Sequence, residues 1–295
     1  MTQLGGDSMV MEIWDQQSIW SQAADRLKAE ISRARASALM LGIAAAVLGT
    51  AASQAMDESR TAGKTLAFAA AVAASLVPLS MGRAGPTQVR NWTRLRSMSE
   101  AVKNEVYVCL AGVAPYRGDD PSATLRERVD PLRRDASDLL PCIEGITSVP
   151  RVPPAVADVD SYVDLRLKQQ IDDYYRPKSA EMGRRLALVR RTEISLGCAG
   201  AVLGALSGVF EVGEAAAWVA VAATVGTAVG AHSIASRYAY QQIEFTRTAD
   251  ELERLLLSWQ TQDRRTVQSD DTFIRHCEEV ISVLNDSWMV RWNAG

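Results

Sequence analysis

The 295 residues contain only two histidines, His232 and His276, so a histidine-based catalytic triad or a His-rich metal site has almost nothing to be built from. The four cysteines, Cys109, Cys142, Cys198 and Cys277, lie far apart and form no CxxC pair, which argues against a zinc site or a disulfide framework. A net charge of −3 gives no bulk attraction to nucleic acid. The first residues, MTQLGGDSMVMEIWDQQ, lack the basic start and apolar run of a signal peptide. Any membrane insertion would then be directed by internal segments. No glycine phrase follows a strand or ends in Gly-Lys-Ser/Thr, so no phosphate loop is expected. Neither an enzyme nor a cofactor is expected from these residues.

Charge is also missing locally. Residues 194–210 carry none, and neither do residues 215–236. Both runs reach or near the roughly 17–25 residues that cross a bilayer core. Neither shows the polar stripe of a surface helix on a globular protein. A short acidic turn with Glu211 and Glu214 joins them, so the spacing predicts a hairpin of two membrane helices. Residues 36–56 and 65–82 repeat the arrangement around a polar turn at 57–64. Pro78 near the end of the second run is expected to kink or fray it.

What surrounds the runs is different. Residues 1–11 read as a loose tail. From 13 to 31, Trp14, Ile19, Trp20, Ala23, Ala24, Leu27 and Ile31 recur at helical spacing with charges between them. Residues 88–111, 158–191 and 238–260 read as further amphipathic helices. A last one, 272–292, carries Phe273, Ile274, Cys277, Ile281, Leu284 and Trp288 on its apolar side. Seven of the ten prolines fall at Pro115, Pro121, Pro131, Pro141, Pro150, Pro153 and Pro154. That stretch reads as an ordered linker or a set of short helices, outside any core.

The two halves match in order. Gln16-Gln17 precedes the first hairpin as Gln169-Gln170 precedes the second, and Ala45-Ala46-Val47-Leu48-Gly49 aligns with Gly200-Ala201-Val202-Leu203-Gly204. The expected organisation is a first unit at 1–114, a Pro-rich linker at 115–157 and a second unit at 158–295. The fold class is all-α and integral to a membrane, with tandem transmembrane hairpins extended by long amphipathic helices. Arginines such as Arg33, Arg35, Arg83, Arg184, Arg185 and Arg237 crowd the open ends of the hairpins, while the turns hold few bases. The positive-inside rule then keeps both termini and every amphipathic helix cytoplasmic, with both hairpins pointing the same way across the cell's inner membrane. The competing reading is a soluble helical interaction protein in which the amphipathic helices jacket the apolar ones.

Further residues carry a resemblance. Tyr174-Tyr175 with Lys178-Ser179-Ala180, Arg184-Arg185 before the hairpin, and the stretch from Tyr240 to Leu252 after it resemble a SLATT domain. This is the two-transmembrane module associated with bacterial nucleotide-signalling conflict systems. Ile13-Trp14, Gln16-Gln17, Ser18-Ile19-Trp20-Ser21, Ser99-Glu100-Ala101-Val102-Lys103 and Ala114-Pro115-Tyr116 resemble another branch of the same family. The resemblance implies a membrane effector of a defence system, oligomeric and pore-forming or membrane-disrupting on activation. A nucleotide-signalling companion protein would supply the trigger. The alternative it leaves open is a non-conducting anchor that recruits a signalling partner.

Candidate sites follow from the membrane reading. Gly49, Gly200, Gly204, Gly208, Gly226 and Gly230 are expected to pack helices closely, since small side chains let backbones approach where hydrophobicity gives no drive. Thr50, Ser53, Ser207, Thr224, Thr227 and His232 are candidates to line a polar path, against the plainer reading that each hydroxyl bonds its own helix and His232 reaches the interface. Trp14 is expected to pack between amphipathic helices and Trp92 to sit at the membrane surface.

Overall fold

A computed structural model of the chain describes residues 2–210, 213–262 and 264–293, with side chains described from 8 to 282. The long helices are α1 (Thr2–Glu58), α2 (Arg60–Gly82), α3 (Pro86–Leu110), α4 (Pro121–Asp135), α5 (Val159–Phe210), α6 (Gly213–Ser236), α7 (Tyr238–Gln260) and α8 (Val267–Asn293). There is no strand among the described residues. The expected tail at 1–11 is helical from Thr2, and Val10 is already buried. Pro78 does not end α2, which continues to Gly82.

Contacts sort the chain into two units. Unit 1 takes α1 up to Ala29, Pro86–Ser179, and the chain from Ile243 onward; unit 2 takes Glu30–Gly85 and Ala180–Gln242. Unit 1 collects the amphipathic segments. Its core is built from Ile13, Trp20 and Ala24 of α1, Leu95, Val102 and Val106 of α3, Leu252 of α7 and Ile274 of α8. Leu284 and Trp288 lie outside the residues whose side chains are described.

The Pro-rich stretch does not stay outside this core. Asp120 caps α4 by accepting from the Ala123 amide, and Pro121 sits at the first helical position, where its missing N–H costs nothing. Leu125 and Val129 then point inward and are fully buried. Farther on the chain is strapped to α1: the Val149 amide donates to Ser18 Oγ at 3.1 Å, and the Arg151 guanidinium donates to Gln17 Oε1 at 2.6 Å while stacking on Trp14. Proline density marked turns correctly but hid the apolar spacing between them. Trp92 also departs from expectation: it is buried in unit 1, with the Lys28 ammonium 5.8 Å from its ring centroid.

The first part of α5 is not a regular α-helix. Val163–Lys168 and Gln170–Tyr175 are π-helical. Two features of the sequence account for it. Val163, Leu167, Ile171 and Tyr175 recur every four residues and are all buried. In a 3.6-residue helix such a row walks off its face by about 40° per step. A stretch with i→i+5 bonds has wider turns and keeps the row aligned. Pro177 follows inside the same helix, where its ring would press on the carbonyl four residues back. Widening the turn before it relieves that pressure. Asp158 caps the start through a reciprocal capping box with Ser161.

Candidate functional site

Unit 2 is the candidate site, and it is made of what the sequence leaves uncharged. The second half of α1 turns into α2 at Ser59, whose hydroxyl accepts the Ala62 amide. The reversal is tight: a Cβ on Gly63 would stand 2.7 Å from Met56 Cγ and Sδ. The second hairpin joins the last part of α5 to α6, with Glu211 of its turn outside the described residues. Its far end is set by Arg237, which takes the left-handed conformation (φ 52°) and separates α6 from α7.

Among the described residues, four helices are long and apolar enough to cross a membrane. In the most apolar stretch of each, at most 11% of the residues are buried within the chain. Phe68, Leu79, Val202, Val209, Phe210 and Ile234 are each more than half exposed. Leaving one such side chain in water forgoes about 1.5–3 kcal/mol. Six of them reach on the order of 10 kcal/mol, as much as the whole stability of an ordinary domain. The described residues leave these runs almost uncovered, and lipid is the solvent that fits them.

Within unit 2 the two hairpins are pinned by polar contacts at both ends. Gln54 of α1 donates to the Glu214 carbonyl at 3.1 Å and accepts from the Trp218 indole at 3.2 Å. Nineteen positions back along α1, Arg35 donates to the Ala235 carbonyl at 3.0 Å. α1 and α6 therefore run antiparallel side by side, and both hairpin turns lie at the same end of the unit. This pairing was not read from sequence. The available signal was a lone amide, Gln54, in one apolar run and a lone tryptophan, Trp218, in another.

The glycines divide. Positions for a Cβ on Gly200, Gly204 and Gly226 fall 3.9–4.0 Å from Ala222, Val219 and Leu196, so these three face the partner helix of the second hairpin. A Cβ on Gly230 would stand 2.7 Å from Glu193 Oε1. Gly49 and Gly208 have nothing within 4 Å among the described residues. The hydroxyls of Ser53, Thr224 and Thr227 each donate to a carbonyl three or four residues back on their own helix. Thr50 supplies the carbonyl that Ser53 uses, and Ser207 is half-buried on α5. His232, in the last turns of α6, meets Tyr238 with Nε2 3.5 Å from the phenol oxygen.

Unit 1 holds its own concentration of charge, in segments outside the apolar runs. Arg166 of the π-helical stretch is buried and grips Glu278 of α8 with two bonds of 2.9 Å. Tyr162 donates to the same carboxylate at 2.8 Å, and the guanidinium lies over the Tyr107 ring. Glu100 stands 4.0 Å from Arg166 and pairs with Arg96 at 2.8 Å. Burial alone would lower the Arg166 pKa, but Glu278 outweighs it and holds the cation. Lys103 nearby is pushed down to about 8 by burial, with the Arg166 charge adding to the effect. No group of histidines, cysteines and carboxylates among the described residues is placed to hold a metal.

Comparison with known proteins agrees with this layout. No curated protein and no solved structure matches the chain. Residues 18–123 match a family described as a protein of unknown function, DUF4231. Residues 162–288 match the SLATT family described as SMODS and SLOG-associating 2TM effector domain 1. Each match brackets one hairpin with its flanking amphipathic helices. The second half of the chain is therefore similar to the SLATT two-transmembrane effector domains, and the two matches together are consistent with tandem SLATT-type units.

Proposed function

We propose that this membrane effector acts without catalysis, by assembling with copies of itself and opening or disrupting the bilayer when a conflict system is triggered. The observation that carries the reading is the nearly unburied apolar surface of unit 2, joined to a family whose description is that of an effector. Gly49 and Gly208 supply open small-residue faces on which a second copy can approach closely. The arginines at the open ends of the hairpins favour a multi-pass arrangement in the inner membrane with both termini in the cytoplasm. There unit 1 would meet the nucleotide-signalling partner.

Ion flux into liposomes carrying the purified chain tests this. Replacing Gly49 and Gly208 by Leu leaves the hairpins of a single chain room, but blocks close approach of a second copy. The reading expects flux from the parent chain and its loss in this variant. Stable membrane residence with no flux or growth arrest under any trigger favours the non-conducting anchor instead.

A further inference from the structure

We propose that residues 163–175 are a register switch for the second hairpin, latched by the Arg166–Glu278 pair. Only its link to membrane opening rests on the function proposed above.

The two hairpins are approached differently. α1 is an uninterrupted α-helix from Thr2 to Glu58. The matching approach in the second repeat contains both π-helical stretches of the described residues. A π turn holds more residues than an α turn. Resolving one into α geometry turns the helix beyond it by about 100° and advances it by about 1.5 Å, the step of one residue. Such surplus turns persist only where the surroundings hold them. Here the holding contacts are the buried row of Val163, Leu167, Ile171 and Tyr175, and the salt bridge from Arg166 to Glu278. The latch is not fully satisfied. Arg166 Nη1 is buried without a hydrogen-bond partner among the described residues, so the resting register carries a standing cost. Pro177 keeps the strain next to the stretch. A partner that draws Glu278 away lets the turns resolve, and α5 enters the hairpin in a new register.

Ser179 reports the register. It lies just past the stretch, with its hydroxyl 2.6 Å from Thr246 Oγ1 on α7. Arg176, one turn earlier, pairs with Glu253 of the same helix. A turn of one residue carries Ser179 away from Thr246.

The test uses the full chain in vesicles of phosphatidylethanolamine and phosphatidylglycerol, with Ser179→Cys and Thr246→Cys, and the exposed Cys198 replaced by Ser. After mild oxidation the 179–246 disulfide peptide is quantified by mass spectrometry. It should form readily with the latch intact. It should fall about tenfold when Arg166→Met and Glu278→Leu are combined, since removing both charges leaves neither orphaned and shifts the population. Glu278→Gln, which keeps the shape, should fall in between and decides the matter alone if the double variant does not fold. Unchanged cross-linking in the folded variants overturns the switch. Dye release from the same vesicles separates the two claims. Cross-linking that falls without dye release keeps the switch and removes the pore. Dye release that is as fast with the disulfide intact as with it reduced removes the switch and keeps the pore.

Discussion

In unit 1, Leu95, Leu125, Leu252 and Ile274 are completely buried; in unit 2, Phe68, Leu79, Val209 and Ile234 are mostly exposed. Charge is distributed the opposite way. Unit 1 buries an Arg–Glu pair and dresses its surface with ion pairs such as Arg94–Asp138 and Arg128–Glu105. The apolar runs of unit 2 carry no charge at all. The lesson is that α1 and α5 each change solvent along their own length. Their first parts bury apolar side chains against protein and face water, and their later parts present apolar side chains outward. Stability in unit 1 comes from exclusion of water. In unit 2 the helices meet through van der Waals contacts at small residues and a few polar contacts between helices.

The comparison can be broken at several points, starting with the largest effect. Glu278→Ala strands the buried Arg166 cation, and unit 1 should lose about 3–5 kcal/mol, read by denaturant unfolding of the detergent-solubilised chain. A mild effect would mean that water reaches Arg166. Val202→Asp should cost about 2.5–3.5 kcal/mol of insertion and send protein from the membrane fraction into aggregates. At an ordinary water-facing position the same change would be harmless or solubilising, so its sign distinguishes the two solvents.

A smaller effect is expected at Lys103. Its folded pKa of about 8 lies below the unfolded value, so the folded state binds fewer protons and stability rises with pH between about 8 and 10.5. Below that window the charged form carries its full cost. Lys103→Met should therefore stabilise the chain by about 1 kcal/mol at pH 7, with the gain fading towards pH 10 in thermal melts. The smallest effect is at Gln54. Gln54→Leu removes the bond to Trp218 and should cost only about 0.6 kcal/mol, the average worth of a polar contact between membrane helices. Loss of membrane residence on this change would show that the hairpins insert as a pair.

Much of this arrangement was legible in the residues. Uncharged runs, polar turns and the doubled order gave the helices and the hairpins, because membrane spans are declared by what they omit. What stayed hidden depends on tertiary context. Trp92 looks like an interfacial aromatic until α3 is folded against Lys28. Leu125 and Val129 are one turn apart, but the prolines around them read as linker. Arg166 on a charged helix looks solvated, and only the fold brings Glu278 to it across more than a hundred residues. The π-helical stretch did leave a trace, in the strict four-residue row from Val163 to Tyr175 and in Pro177.

The central claim is that unit 2 is solvated by lipid. Cys198 lies exposed in the apolar run of α5 and offers a native place for a spin label once Cys109, Cys142 and Cys277 are replaced by Ala. Collision of that label with oxygen should far exceed collision with a water-soluble nickel chelate in reconstituted vesicles, while a label at Val152, 90% exposed in unit 1, shows the reverse. Equal access of the nickel chelate to both positions would contradict the account.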